Sequence, residues 1–230
     1  MEYISPEEAR IHAHICGDGC LTISKGRRFG KYLLKYKNPY KKRIRVYYTA
    51  RYSNKDKDLL NKFSEDAKIA YSVKAIKSTE WELYLSAKWI YERLKNMGAG
   101  KSHEWFIHDS ILNSDQMVIS EWLKAFFDDE GHVDIESGYI TLNSVNKNGL
   151  IQVSQMLEKI GITNYSIKGP YFYKQFSSYR LKILSKSLND FYKKVGFYSN
   201  PKQESLKILL AKKAKYDLMK GRDFNNKTLL

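Results

Sequence analysis

Ile11-His12-Ala13-His14-Ile15-Cys16-Gly17-Asp18-Gly19 and Leu123-Lys124-Ala125-Phe126-Phe127-Asp128-Asp129-Glu130-Gly131 are two versions of one stretch, about one small domain apart. Each is a mostly apolar helical segment with alanine at its third position. Each closes on an acid followed at once by glycine. A helix C-terminus carries partial negative charge, so an acid there is disfavoured by about 0.3–1 kcal/mol. The pattern predicts Gly19 and Gly131 as left-handed residues ending the helices. Asp18 and Glu130 then stand beside the last unpaired carbonyls. Carboxylate plus carbonyl is hard oxygen ligation, so a divalent cation makes sense of both acids. One such acid is ordinary. Its recurrence in a matching context is what marks a site shared by two halves of the chain.

The balance of charge agrees. Against 25 Asp+Glu stand 40 Lys+Arg, for a formal net charge of +15. A field of that sign favours nucleic acid or an anionic membrane. No apolar run reaches the roughly 18–20 residues a membrane span needs, and no N-terminal stretch reads as a signal peptide. The expectation is a soluble cytoplasmic protein, associated with the nucleoid in a prokaryote. Cys16 and Cys20 are too few for a disulfide framework and wrongly spaced for a zinc knuckle.

Ser5-Pro6-Glu7-Glu8 reads as a helix start, with Ser5 as N-cap, Pro6 at N1 and Glu8 closing a capping box. Arg43 to Arg51 is the clearest strand. Its period of two puts Arg43, Arg45, Tyr47, Thr49 and Arg51 on one face, all of whose charge is positive. Taken in order, both halves read α-β-β-α-β-β-α, and such repetition outranks any single motif. The expected fold is α+β, with two pseudo-symmetric repeats, each carrying a four-stranded antiparallel sheet. Residues 1–100 form the first repeat, 101–114 a linker, 115–220 the second repeat and 221–230 a polar C-terminal tail. Internal symmetry of this kind is that of a fused dimer, so a monomer is expected. His12 and His14, two apart on different helix faces, read as packing or surface residues.

Together these features resemble the LAGLIDADG homing endonucleases, in the monomeric two-repeat, intron-encoded form of archaeal type. The resemblance covers roughly residues 5–210. Copy one keeps Ile11, Ala13, Ile15, Gly17, Asp18 and Gly19, and departs at His12, His14 and Cys16. In copy two, Phe126-Phe127-Asp128-Asp129-Glu130-Gly131 is close to the common form. Gly100-Lys101-Ser102, with Ile107 and Ile111-Leu112-Asn113-Ser114-Asp115 after it, is similar to the segment before the second motif in intein-type relatives. The chain shows no intein splice junction, which favours a free-standing intron-encoded protein.

The resemblance implies motif helices packed face to face, with Asp18 and Glu130 as catalytic metal ligands and the backbone carbonyls of Gly17 and Asp129 assisting. It implies two or three Mg2+ ions, replaceable by Mn2+, with Ca2+ binding but not supporting cleavage. The two sheets would form a saddle over double-stranded DNA. Each strand would be cut once across the minor groove of a long asymmetric target, leaving short 3′ overhangs. A supporting lysine is implied after the third helix of each repeat. Lys202 fills it in repeat two. In repeat one the nearest candidate is Lys101, but the family position holds Trp105.

Hydrolysis of a phosphodiester needs an activated water and charge to meet the phosphate, which paired carboxylates holding Mg2+ supply. A lysine beside them would stabilise the phosphate further. Base recognition is expected from Arg43, Arg45, Tyr47 and Arg51 in repeat one, and from Tyr139, Thr141, Asn143, Arg180 and Lys182 in repeat two. In the major groove each good bidentate contact discriminates by about 1–3 kcal/mol. Two other functions fit the same scaffold: a maturase bound to intron RNA, and an inactive DNA-binding regulator.

Overall fold

Ser5 starts α1 (Pro6–Cys16) as its sequence predicts: the hydroxyl accepts the Glu8 N–H at 3.2 Å and Pro6 fills the first turn. The second half of the capping box is not made. Glu8 turns instead to Arg93 and Tyr71, taking the Arg93 Nη2 at 2.8 Å and the Tyr71 hydroxyl at 3.2 Å. From Glu8 to Cys16 every residue of α1 is buried. A helix enclosed on all sides has no single apolar stripe.

The computed structural model describes residues 3–27, 44–173 and 176–227. After α1 come β1 (Gly19–Arg27), β2 (Ile44–Ser53), α2 (Lys57–Tyr71), β3 (Ile76–Thr79), β4 (Glu82–Leu85) and α3 (Lys88–Asn96). A short α4 (Asp109–Leu112) lies in the connection. The second half has α5 (Gln116–Glu130), β5 (Gly131–Asp134), β6 (Tyr139–Ser144), α6 (Lys147–Lys159), β7 (Tyr165–Tyr173), β8 (Phe176–Ile183), α7 (Leu188–Lys194) and α8 (Asn200–Lys227). The sheets are ordered β1-β2-β4-β3 and β5-β6-β8-β7, with every neighbouring pair antiparallel. One topology thus occurs twice, and the α+β two-repeat fold is as expected.

Two stretches differ from expectation. The connection is part of the core, since Trp105, Ile107 and Ile111 are buried. The final helix carries on through Lys227, past the point where a tail was expected to begin.

The two motif glycines also differ. Neither Gly19 nor Gly131 has positive φ; that conformation falls to Gly98 and Gly196, just after α3 and α7, and to three others among the described glycines. Gly131 is extended, at φ −83° and ψ 147°. What these positions require is room. A Cβ on Gly19 would lie 2.6 Å from the Ile15 Cα and 2.7 Å from the Arg51 carbonyl oxygen, and one on Gly131 would strike the Phe127 carbonyl. At each motif the chain turns from helix into strand against the last helical turn, and only glycine fits.

Helices α1 and α5 pack against each other at the seam, where Ala13 and Ala125 are fully buried. Trp122 Nε1 donates to His12 Nδ1 at 3.0 Å across it. Lower down, Arg10 clasps Asp66 of α2 through Nε at 2.8 Å and Nη2 at 2.7 Å, and reaches Glu121 of α5 through Nη1 at 2.6 Å.

Candidate active site

Because α1 and α5 end side by side, Asp18 meets Asp128, Asp129 and Glu130. The Asp129 side chain is fully buried and turned into the first repeat. Its Oδ2 faces His14 Nδ1 at 2.9 Å, and its Oδ1 accepts from the Tyr52 hydroxyl at 2.7 Å and Asn54 Nδ2 at 3.3 Å. The same Asn54 nitrogen donates to Asp18 Oδ2 at 3.0 Å. Gly17 makes space for this crossing, since a Cβ there would lie 2.8 Å from that of Asp129. Asp128 does a different job. Its carboxylate accepts the backbone N–H groups of Tyr198 at 2.9 Å and Ser199 at 3.0 Å. That fixes the turn into α8, and the first turn of α8 carries Lys202. Lys202 Nζ donates to the carbonyls of Phe127, at 3.3 Å, and of Asp128.

Glu130 makes no hydrogen bond or ion pair with any described residue. Burial pushes its carboxyl up to about 7, and Asp18 and Asp129 add to the rise. Burial and then Asp129 bring Asp18 up to about 6. Burial likewise raises Asp128 to about 6, against the two N–H donors that favour its ionised form. Lys202 is lowered by burial although four acids surround it. For His14 burial would lower the imidazole, but the Asp129 carboxylate outweighs it and the net shift is upward. His12, buried with Trp122 as its donor, is pushed down to about 4 and is neutral. The sum is a concentration of negative charge against one amine. Among the described residues no three His, Cys, Asp or Glu side chains close around a common point. Asp18 and Glu130 with adjacent carbonyls are thus an open, oxygen-only donor set, which suits a hard cation that keeps much of its own water.

Two clefts flank the acids, and they are not alike. One, of about 590 Å3, is lined by Asp18, Asn54, Trp81, Asp128, Asp129 and Lys202. The other, of about 270 Å3, is lined by Glu130, Cys16, Ser102, Trp105 and Asn143, with no cation among the described residues of its wall. Lys101 is exposed and lines a separate hollow beside Gly19, Cys20, Tyr91 and Lys95, so the structure does not bring it to the acids. Trp105 is a core residue: its ring meets Phe126 with centroids 5.1 Å apart. Counted from the positive-φ glycine after the third helix, the residue matching Lys202 is Glu104, an exposed acid.

Residues 117–196 match the family model described as a LAGLIDADG-like domain. The second repeat is thus similar to LAGLIDADG-like domains. Over 83% of its length the chain shares its fold with I-DmoI in complex with DNA and Mn, at a TM-score of 0.59 and 18% identity, covering 96% of that chain. I-SmaMI bound to uncleaved DNA with calcium gives a TM-score of 0.54 at 11% identity, over 94% of each chain. A full-length DUF199/WhiA protein from Thermatoga maritima gives 0.52 at 10% identity, over 99% of this chain and 70% of that one. The LAGLIDADG fold is therefore shared with named endonucleases and with a protein of another name. Over 180 residues the chain is 25% identical to a probable translation initiation factor IF-2 of Methanocaldococcus jannaschii; this is 72% of the chain but 15% of that protein's length.

In the first repeat, Arg45 and Tyr47 stand exposed on β2. Arg51 is already held, by Glu82 at 2.7 Å and over the Tyr84 ring at 5.2 Å. Arg43 lies outside the described residues. Thr49, on the same face, is buried against Thr22 at 2.5 Å. In the second repeat, Leu142, Leu181, Ile140 and Ile183 fill the core, and the alternate residues face outward. There Asn143 Oδ1 accepts Arg180 Nε at 2.8 Å, and Lys182 Nζ sits 3.9 Å from the Tyr139 ring centroid. Thr141 is covered, donating to the His132 carbonyl at 3.5 Å. Sequence reasoning missed His14, Tyr52 and Asn54 as the clamp on Asp129, and Asp128 as the anchor of Lys202. Asn54 Oδ1 also accepts the N–H of Asp56, the N-cap of α2, at 2.9 Å.

Proposed function

We propose that the chain is a monomeric, site-specific DNA endonuclease of the homing type, working in the cytoplasm on a long asymmetric duplex. The observation that carries this reading is Glu130, a largely buried carboxylate without a protein partner, beside Asp18. Leaving such a charge unpaired costs several kcal/mol, and a divalent cation removes that cost. Asp18 and Glu130 would hold Mg2+, with the carbonyls of Gly17 and Asp129 assisting. Bound there, the metal supplies positive charge to the scissile phosphate and makes water a better nucleophile. Lys202 has three N–H donors and spends two on carbonyls. The third is left to meet a phosphate oxygen as charge builds on it. Asn54 fixes the plane of the Asp18 carboxylate. The outward faces of β2, β6 and β8 read the major groove, and one cut per strand leaves short 3′ overhangs.

The test uses the joined sequences flanking the reading frame as duplex substrate. Mg2+ should give a double-strand break. Asp18→Asn or Glu130→Gln should reduce cleavage by orders of magnitude while binding in Ca2+ persists. Full cleavage by both variants would sink the assignment. Tight binding without any cleavage would favour a regulator instead, a reading the shared fold with WhiA supports.

A further inference from the structure

Asn143 of β6 and Arg180 of β8 stand opposite each other on the outward face of the second sheet. Arg180 Nε donates to Asn143 Oδ1 at 2.8 Å, and the guanidinium carbon lies 5.3 Å from the centroid of the Tyr171 ring. The guanidinium is thus held along one edge by an amide and over one face by a ring. It carries five N–H donors in a fixed planar fork and no acceptor. One donor is spent on Asn143. Among the described residues none accepts from the four on the two terminal nitrogens.

The pairing also settles what Asn143 can offer. An amide reads adenine by accepting from N6 and donating to N7 at once. Here the carbonyl end of the amide is turned to the guanidinium, and its NH2 group is what remains. Both side chains then present donors alone. Guanine is the base whose major-groove edge carries two acceptors, O6 and N7, side by side.

The first repeat lacks this arrangement. Counted from the motif glycines, which pair with Tyr52 and Leu142, the positions matching Asn143 and Arg180 are Ser53 and Glu82, themselves opposite each other. Glu82 takes Arg51 Nη1 at 2.7 Å and the Ser53 hydroxyl at 3.3 Å. An ionised carboxylate accepts only, so it has nothing to give O6 or N7.

We propose that Arg180 reads a guanine in the major groove, donating from its two terminal nitrogens to O6 and N7, and that Asn143 is a positioning residue that holds the guanidinium for this contact and reads no base itself. This deepens the endonuclease reading and rests on its assignment of the sheets to the major groove. Asn143 also lines the Glu130 cleft, which puts the guanine in the inner part of the second half-site, near the cut. The pseudo-symmetric position in the first half-site carries no such preference.

The experiment selects a randomised duplex library for binding to the full chain in Ca2+ and reads the base preference at every position. Wild type should favour one guanine over the other bases by about 5- to 150-fold. Arg180→Ala should remove that preference and leave the other positions unchanged. Asn143→Ala should weaken it at the same base pair. Asn143→Asp keeps an acceptor for Nε but has no donor for a base, and should retain it. The proposal is overturned if Arg180→Ala alters no guanine preference. It is overturned equally if Asn143→Ala acts at a different base pair or abolishes a preference for adenine, or if Asn143→Asp loses as much as Asn143→Ala. A wild-type chain that enriches no sequence at all would sink the site-specific endonuclease reading, and this proposal with it.

Discussion

Asp18, Asp128 and Glu130 are raised above the values an unfolded chain would give them, to about 6, 6 and 7. The folded protein therefore holds protons that the unfolded chain has released. Their contribution to stability is greatest below the ordinary carboxylate range and is lost as pH rises through 6 to 7. Metal binding runs the other way, because it needs the ionised forms. Without divalent ions the melting temperature should fall between pH 5 and 8 at these sites' expense. Added Ca2+ should raise it little at pH 5 and clearly at pH 8. Equal stabilisation by Ca2+ at both pH values would count against Asp18 and Glu130 as ligands. Both acids were legible in the sequence, because an acid beside a glycine recurs in matching surroundings. The clamp on Asp129 was not. His14 and His12 were assigned to different faces of a helix, but α1 is enclosed all round, so facing decides nothing there.

Helix starts, helix ends and the order of elements along the chain were readable from caps, glycines and alternation, since those signals are local. Partners distant in the chain were not. Arg10 sits between Ala9 and Ile11 and gives no hint that its guanidinium joins α1 to Asp66 of α2 and Glu121 of α5. It is the cation that makes the buried Asp66 tolerable, with Lys62 a more distant second at 3.4 Å. Arg10→Met keeps the volume of the side chain but strands those carboxylates. The expected loss is about 3–5 kcal/mol, read from urea unfolding at unchanged slope. A loss under about 1 kcal/mol would mean that the network contributes no more than a surface pair. The glycines teach a related lesson. Their positions were right and the expected conformation was wrong, because a tight helix-to-strand exit and a left-handed cap ask for the same residue.

Symmetry governs the molecule in topology but not in chemistry. Both sheets share one strand order, yet Lys202 lines the Asp18 cleft, and the Glu130 cleft has no basic residue among the described residues of its wall. The strand lying over Asp18 should be cut first. A supercoiled target should pass through an accumulating nicked circle before it becomes linear, and Lys202→Met should slow that first cut by about 10²–10³-fold. Linear product appearing with no nicked precursor would contradict this order. The seam is asymmetric too, and that bears on how the halves recognise each other. Asp129 needs the pocket of His14, Tyr52 and Asn54, and it needs Gly17 opposite to let it in. Two first halves would pair glycine with glycine and leave a hollow. Two second halves would press carboxylate on carboxylate. The interface is therefore orthogonal to either self-pairing, and a chimera that exchanges one half for a relative's will assemble only when knob and socket are transplanted together.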